Sequence, residues 1–221
     1  MPKLIHDIKL TKQDPLYIEG ARLYLRSFEL SDVNKNYLSW MKDPEVIKFL
    51  IGRRETYTLE SLKRYVQALR GDKQFKFFAI VDMATNEHIG NVKLGPIDDS
   101  NRVSYVGLLI GNKNYWGSGC ATEAVGLVSR FAFERLKLNK LMAGCTVSNR
   151  GAIKAFQKCG YLQEGLFRKM GLFGASYVDA VHLGLLAEDF GKLSGNVSES
   201  VAGIAKRKRK KKVNLKTFGV A

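Results

Sequence analysis

Residues 103–126 read VSYVGLLIGNKNYWGSGCATEAVG, and this segment has the most informative pattern of the chain. Val103 to Ile110 is an apolar run of strand length, and an amphipathic helix is predicted from 121 to 136. Between them lies the glycine-rich turn Trp116-Gly117-Ser118-Gly119. Glycines let successive backbone N–H groups converge, and a helix N-terminus adds partial positive charge. The stretch therefore predicts a strand, a tight turn and a helix whose junction suits a phosphate or pyrophosphate.

Two familiar phosphate-binding patterns are excluded at this turn. A dinucleotide-binding Rossmann turn needs a third glycine, and Glu123-Ala124 stands in its place. A P-loop needs Gly-Lys followed by Ser or Thr after four spacer residues, and the sequence contains no such run. Turns with two glycines are also common between strands and helices. From the turn alone, a phosphate site and an ordinary strand-to-helix connection both stay open.

The flanking sequence predicts further strands and helices. A helix opens at Thr58, keeps apolar residues at helical spacing and stops at Gly71. The period of the apolar residues predicts a strand-rich block first and an alternation of strands and helices after it. The fold class is therefore α/β in the mixed, α+β sense: a twisted mixed sheet flanked by helices. The predicted strands are 75–82, 88–94, 103–110, 140–147 and 177–187, with a further helix at 150–159.

Length and composition predict one domain over residues 1–190, followed by a polar linker and basic tail over 191–221. Net charge is +15, and Lys206 to Lys212 is an unbroken run of seven basic residues. Such a tail can make a weak contact with RNA, an acidic partner or anionic lipid, or can simply be solvated. No apolar run is long enough to span a bilayer, and the three scattered cysteines predict neither disulfides nor a zinc site. The expected compartment is the reducing cytoplasm.

The central stretch resembles motif A of the GNAT acetyltransferases, written Gln/Arg-x-x-Gly-x-Gly/Ala. Here the motif is Asn114-Tyr-Trp-Gly117-Ser-Gly119, and Asn114 departs from the usual first residue. The wider string Tyr-Trp-Gly-x-Gly-x-Ala-Thr-Glu-Ala is similar to the branch of ribosomal-protein N-terminal acetyltransferases, the RimJ/RimL type. Three more blocks agree with the family in order along the chain. They are the segment around Arg22–Arg26, the Asn149 to Tyr161 block, and Gln163–Arg168 with Tyr177–Asp179.

The resemblance implies acetyl-CoA as co-substrate and assigns residues to it. Backbone N–H groups of the glycine turn and of the first helical residues would hold the pyrophosphate. The strand end at 108–110 would pair with the pantetheine amides, as a strand pairs with a peptide. Asn149 would orient the pantetheine or thioester, or would serve as the N-cap of the next helix. The residues assigned to acetyl-CoA are Leu108, Leu109, Ile110, Asn114, Trp116, Gly117, Ser118, Gly119, Cys120, Ala121 and Asn149, and no metal is expected.

The catalytic residues are less defined, because the tyrosine that many relatives use as general acid is replaced by Phe156. In the family, direct attack of a neutral amine on the thioester requires removal of an ammonium proton. We predict that Tyr105 and Asp179 line the acceptor side, with Asp179 taking that proton directly or through water. Alternative structural roles are packing for the tyrosine and pairing with Arg168 for the aspartate.

Three functions remain open from the sequence. The first is transfer of acetyl to a small-molecule amine, with a nucleotide-linked amino sugar as a leading acceptor. The string from His88 to Ile97 resembles chains of that kind. The second is acetylation of a peptide N-terminus, and the third is a catalytically silent acyl-CoA-binding module. The sequence leaves monomer and homodimer equally open.

Overall fold

The computed structural model describes residues 14, 16–50, 56–173 and 176–192. The basic run from Lys206 to Lys212 and most of the predicted linker lie outside the described residues. None of the helices in the described ranges combines the length and apolar character needed to traverse a bilayer.

The described chain forms eight strands and four α-helices, and its last residues, 187–192, are also helical. The helices are α1 (Lys35–Lys42), α2 (Leu59–Gly71), α3 (Cys120–Glu134) and α4 (Arg150–Lys158). Short 3-10 turns precede α1 and α3. The strands are β1 (Ile18–Glu19), β2 (Leu23–Ser27), β3 (Lys76–Asp82), β4 (His88–Asp98), β5 (Val103–Ile110), β6 (Lys140–Thr146), β7 (Leu162–Phe173) and β8 (Ser176–Leu186).

All eight strands form one sheet in the order β1-β2-β3-β4-β5-β6-β8-β7. The pairs are antiparallel except β5 with β6, which is parallel and carries α3 as its crossover helix. The predicted mixed sheet flanked by helices is therefore confirmed. The strand at 103–110 has the predicted bounds, and α3 begins one residue earlier than predicted. The long strand β7 was not predicted.

Two apolar clusters cover the two faces of the sheet. The larger cluster packs α3 and Phe156 of α4 against strand residues such as Leu25, Val92 and Leu141. The second cluster packs α1 and α2 against the opposite face, with Phe77 and Ala79 in its floor. Thr58 caps α2 by accepting from the backbone N–H of Ser61, whose own side chain accepts in return from Thr58 N. This capping box fixes the start of α2 as predicted.

Gly111 closes β5 where the chain passes beneath Trp40 of α1. A Cβ added at Gly111 would lie 2.0 Å from the indole ring. Because Trp40 is buried, the ring has little room to withdraw. We expect Gly111→Ala to lower the free energy of unfolding by about 2 kcal/mol, as overpacked cores do. Denaturant unfolding measures this loss. The matched Gly107→Ala change adds a Cβ into open space on the same strand and should change stability far less; equal losses in the two variants would contradict the prediction.

Candidate functional site

The sheet opens between β5 and β6, and we call the opening between residues 106–110 of β5 and 143–146 of β6 the wedge. The two strands pair over only three residues, and the last of these pairs is Tyr105 with Met142. β5 continues to Ile110 and β6 to Thr146, but in the described chain their ladder ends at that pair. Beyond it, β4 pairs with one edge of β5 and β8 pairs with one edge of β6. The edge of β5 that faces β6 is thus left with backbone groups available for a partner from 106 to the N–H of Ile110, whose carbonyl oxygen accepts from Trp116.

The side chains of β5 in this opening point alternately to the two faces. Leu108 and Ile110 pack against the cluster formed with α3, whereas Leu109 packs against the cluster formed with α1 and α2. All three are half-buried. Tyr105 shares the face of Leu109 and is 40% exposed. The three predicted cofactor-contacting residues therefore line the wedge, and Tyr105 stands at its apex.

The turn after β5 has the backbone geometry of an anion site. Gly117 has φ of 72° and Gly119 has φ of 92°, values that residues with a Cβ rarely adopt. Gly119 is the N-cap of α3, so no side chain caps the first N–H groups of that helix. These groups need a partner, and an anion is the partner that the helix dipole favours. A Cβ at Gly117 would meet nothing within 4 Å, so the turn is open.

Hydrogen bonds within the turn hold this geometry. The Trp116 indole Nε1–H donates to the carbonyl oxygen of Ile110 over 2.9 Å. The Ser118 hydroxyl donates to the carbonyl oxygen of Tyr115 over 2.5 Å. Asn114 donates its backbone N–H to the side chain of Asn112 within a 3-10 turn. Cys120 is buried beneath the turn, and Ala121 is half-buried on the first turn of α3. The predicted residues from 114 to 121 are therefore brought together.

Arg22 and Glu123 complete the turn from a distant part of the chain. Glu123 is 8% exposed, and its Oε1 accepts from the backbone N–H groups of Ala21, Arg22 and Leu23 at 2.8, 2.7 and 3.1 Å. The Arg22 guanidinium donates to Glu123 and to the carbonyl oxygen of Ser118. Half of the Arg22 side chain remains exposed, which leaves a cation beside the glycine turn. Arg22 was not predicted as a site residue, since nothing in its local sequence points to a turn about a hundred residues away.

Asn149 and Phe156 lie on α4. Asn149 is the N-cap, and its Oδ1 accepts from the backbone N–H of Ala152 over 3.2 Å. This is the structural role that the sequence left open, and it is compatible with a further contact. Phe156 is 3% exposed and packs edge-on against Tyr161. Phe156 therefore acts as a core residue.

Tyr105 and Asp179 are not brought together. The register aligns Tyr105 with Met142 and Met142 with Gly184 of β8. Asp179 lies five residues from Gly184 along β8, which corresponds to roughly 17 Å. Its Oδ1 accepts from the backbone N–H of Lys169 over 2.8 Å, across an irregularity in the β7–β8 ladder. The Asp179 carboxylate thus accepts from the backbone N–H of Lys169, and not from the Arg168 side chain that the sequence offered as an alternative partner.

Cys145 and Cys159 offer no thiolate for a covalent route in neutral solution. Burial raises the pKa of Cys145 to about 11 and that of Cys159 to about 12. Cys120 is 3% exposed. The described residues contain no cluster of three His, Cys, Asp or Glu side chains that could hold a metal ion. The groups of the wedge are thus hydrogen-bond donors and acceptors, an aromatic side chain and the Arg22 cation.

Comparison with known proteins identifies the fold and its chemistry. The family model of the acetyltransferase (GNAT) domain matches residues 22–162, well over half of the chain. The chain belongs to the GNAT acetyltransferase family. The resemblance inferred from motif A is thereby confirmed, and the protein is an N-acetyltransferase that moves an acetyl group to an amine.

Individual relatives agree with this assignment. The uncharacterized N-acetyltransferase p20 of Bacillus licheniformis is 29% identical over 179 residues, which cover 80% of this chain and 98% of the relative. The probable N-acetyltransferase YjcK of Bacillus subtilis is 27% identical over 179 residues, with 78% and 98% covered. A spermidine N-acetyltransferase from Vibrio cholerae, solved with CoA and spermine, superposes with a TM-score of 0.70 at 21% identity. That alignment covers 76% of this chain and 98% of the other. It shows the same fold.

Proposed function

We propose that this GNAT enzyme binds acetyl-CoA in the wedge between β5 and β6 and transfers the acetyl group to a small-molecule primary amine. The observation that carries the proposal is the edge of β5 from residue 106, which β6 leaves unpaired and which leads to the glycine turn; at its end the Ile110 carbonyl oxygen accepts from Trp116 of that turn. A pantetheine arm can pair with such an edge as an added strand does. Its pyrophosphate would then reach the uncapped N-terminus of α3, where Gly117 and Gly119 keep the backbone accessible. Arg22 adds a positive charge beside the same turn.

The wedge closes at the Tyr105–Met142 pair, so the thioester end of the co-substrate would lie near Gly107. In the transfer, the amine nitrogen bonds to the thioester carbonyl carbon and the C–S bond breaks. The proton shed by nitrogen passes to solvent, and the departing sulfur ends as the coenzyme A thiol. Backbone N–H groups on the free edge of β5 are suited to stabilise the oxyanion. Tyr105 lines the acceptor side of this position.

The acceptor we favour is a nucleotide-linked amino sugar. Its support is the resemblance of the segment from His88 to Ile97 to enzymes of that kind, and this segment forms most of β4, directly beside β5. Spermidine is the substrate named for the Vibrio cholerae protein, but at 21% identity that likeness carries no acceptor across.

The test combines acetyl-CoA binding with an acceptor screen. Calorimetry with acetyl-CoA should give a single site per chain. Coenzyme A release is then followed with nucleotide-linked amino sugars, polyamines and N-terminal peptides. Release that is fastest with the amino sugars supports the proposal. Release only with peptides would assign the protein to N-terminal acetylation, and binding without release with any amine would favour the silent acyl-CoA-binding module.

The base role of Asp179 remains a prediction, and the register argues against it. The Asp179 carboxylate is bonded to the β7 backbone and lies far along the strand from the apex of the wedge. Asparagine at this position can still accept from Lys169 N through its amide oxygen. We therefore expect Asp179→Asn to keep kcat within about threefold, with proton removal left to water. A fall of about a hundredfold, with acetyl-CoA binding retained, would establish Asp179 as the general base.

A further inference from the structure

Lys93 of β4 lies at the acceptor side of the wedge, and it forms no ion pair with any of the described residues. It is paired in register with Gly107 of β5, so the two residues share one face of the sheet. That face also carries Tyr105 and Leu109, two residues to either side of Gly107. A Cβ at Gly107 would meet nothing within 4 Å. The space above Gly107 is therefore open, and Lys93 borders it.

Aromatic side chains surround the Lys93 ammonium. Its Nζ lies 5.6 Å from the ring centroid of Phe75 and 5.9 Å from that of Tyr65. The ammonium also donates to the Tyr65 hydroxyl over 3.3 Å. That hydroxyl keeps its own hydrogen free to donate, because it accepts from the lysine. Two donors, one of them charged, thus sit side by side.

The charge of Lys93 is not compensated within the described chain. Its side chain is half-buried, yet none of the ion pairs formed by the described residues includes it. Each cation–π contact stabilises the ammonium by only about 0.5–1 kcal/mol at such sites. A half-exposed ammonium that has no anionic neighbour stays available for a charge-assisted hydrogen bond to an anionic ligand. The neighbouring residues on this face of β4 and β5 are Asn91, Tyr105, Gly107 and Leu109, and none of them is acidic.

We infer that Lys93, assisted by Tyr65, binds a phosphate group of the acceptor and so selects an anionic amine. The inference rests on the proposed acetyl transfer and adds the chemical class that the acceptor must carry. Gly107 marks the reacting end of the wedge, and neighbouring strands lie about 4.8 Å apart. With the length of the lysine side chain, the phosphate would lie on the order of 10 Å from the amine. A sugar that carries its amine on the ring and a nucleoside diphosphate at the anomeric carbon reaches a separation of this order at the phosphate farther from the sugar. A polyamine would instead bring like charges together.

The test compares matched acceptors in Lys93 variants. Initial rates are measured with a nucleotide-linked 4-amino sugar, the same amino sugar freed of nucleotide, and spermidine. Wild type should have the lowest KM, by tenfold or more, for the nucleotide-linked sugar. Lys93→Met keeps the stem that packs on the rings but removes the charge, so it should raise that KM at least tenfold while kcat changes by less than about threefold. Lys93→Arg should restore most of the affinity, and Lys63→Met, on the exposed surface of α2, is the matched control.

Binding provides a readout that does not depend on turnover. Calorimetry with UDP on the coenzyme A-saturated protein should detect a site in wild type that weakens at least tenfold in Lys93→Met. Unchanged KM and UDP affinity in that variant would overturn the inference, as would a wild-type preference for spermidine or the absence of UDP binding. Failure of the proposed function is a separate result, because in the wild-type protein it would appear as the absence of acetyl-CoA binding, as coenzyme A release with peptides alone, or as no release with any amine.

Discussion

Gly119→Glu is expected to weaken acetyl-CoA binding by at least a hundredfold while the protein stays folded. Gly119 adopts φ of 92° at the N-cap of α3, where a residue with a Cβ is strained by about 1–2 kcal/mol. That strain is small beside a typical unfolding free energy of about 5–15 kcal/mol. The new side chain would occupy the approach to the first N–H groups of α3, and its carboxylate would compete there with the pyrophosphate. Calorimetry with acetyl-CoA measures the loss, and circular dichroism checks the fold.

Gly151→Glu provides the matched control for this change. Gly151 lies in the first turn of α4, where an added Cβ meets nothing within 4 Å and φ is not positive. The control therefore adds the same charge to another helix start without touching the turn, and it should bind acetyl-CoA as wild type does. Wild-type affinity in Gly119→Glu would refute the assignment of the glycine turn to the pyrophosphate. If both variants lost acetyl-CoA affinity equally, the cause would be the added negative charge and not a side chain in the glycine turn.

Glu123→Ala is expected to lower the free energy of unfolding by about 3 kcal/mol. The carboxylate accepts three backbone N–H groups from residues 21–23 and also holds the Arg22 side chain. Alanine leaves these donors without a protein partner; the Leu23 N–H is buried, where an unsatisfied donor costs about 1–3 kcal/mol, and the other two are partly exposed. Acetyl-CoA affinity should fall as well, since Arg22 would no longer be held against Ser118. Urea unfolding and calorimetry measure the two effects.

Two variants separate the hydrogen bonds from the charge. Glu123→Gln keeps an oxygen that can accept the backbone N–H groups, so we expect a loss of only about 1 kcal/mol. Glu134→Ala removes a carboxylate from the last turn of α3, where it pairs with Arg130 at half exposure, and should cost under about 0.5 kcal/mol. If Glu123→Ala were no more damaging than Glu134→Ala, Glu123 would not be the anchor that the hydrogen bonds indicate.

The central elements were predictable from sequence because local signals agree there. The apolar run of β5, the glycines of the turn and the amphipathic pattern of α3 each specify their own conformation, and the predicted bounds hold to within two residues. β7 gave no such signal. It contains Gly165 and Gly171, lies at the sheet edge, and exposes Leu166 and Met170, so neither alternation nor burial marks it as a strand.

The candidate site shows the same difference between features with a local sequence signal and features without one. The geometry of the turn was predictable because its residues are consecutive in sequence and its two glycines specify the backbone conformation. The positions of Arg22 beside the turn and of Lys93 beside Gly107 were not predictable, since they arise only when β2 meets the start of α3 and when β4 pairs with β5. The prediction for Asp179 shows what the pattern of a strand cannot give. Strand alternation gives the face of a side chain but not its position along a neighbouring strand, and only the observed register separates it from Tyr105.

The anchor between Glu123 and the segment at 21–23 also bears on how the protein acquires its site. These hydrogen bonds join residues about a hundred positions apart, so they close a loop that includes the whole of β2, β3, β4 and β5. Loop closure of this length is slow relative to formation of a helix or hairpin. On a growing chain the segment at 21–23 must therefore wait for α3 to be synthesised. Removal of the chain up to residue 23 would delete the N–H donors to Glu123 and so disturb the glycine turn, although the two segments are distant in sequence.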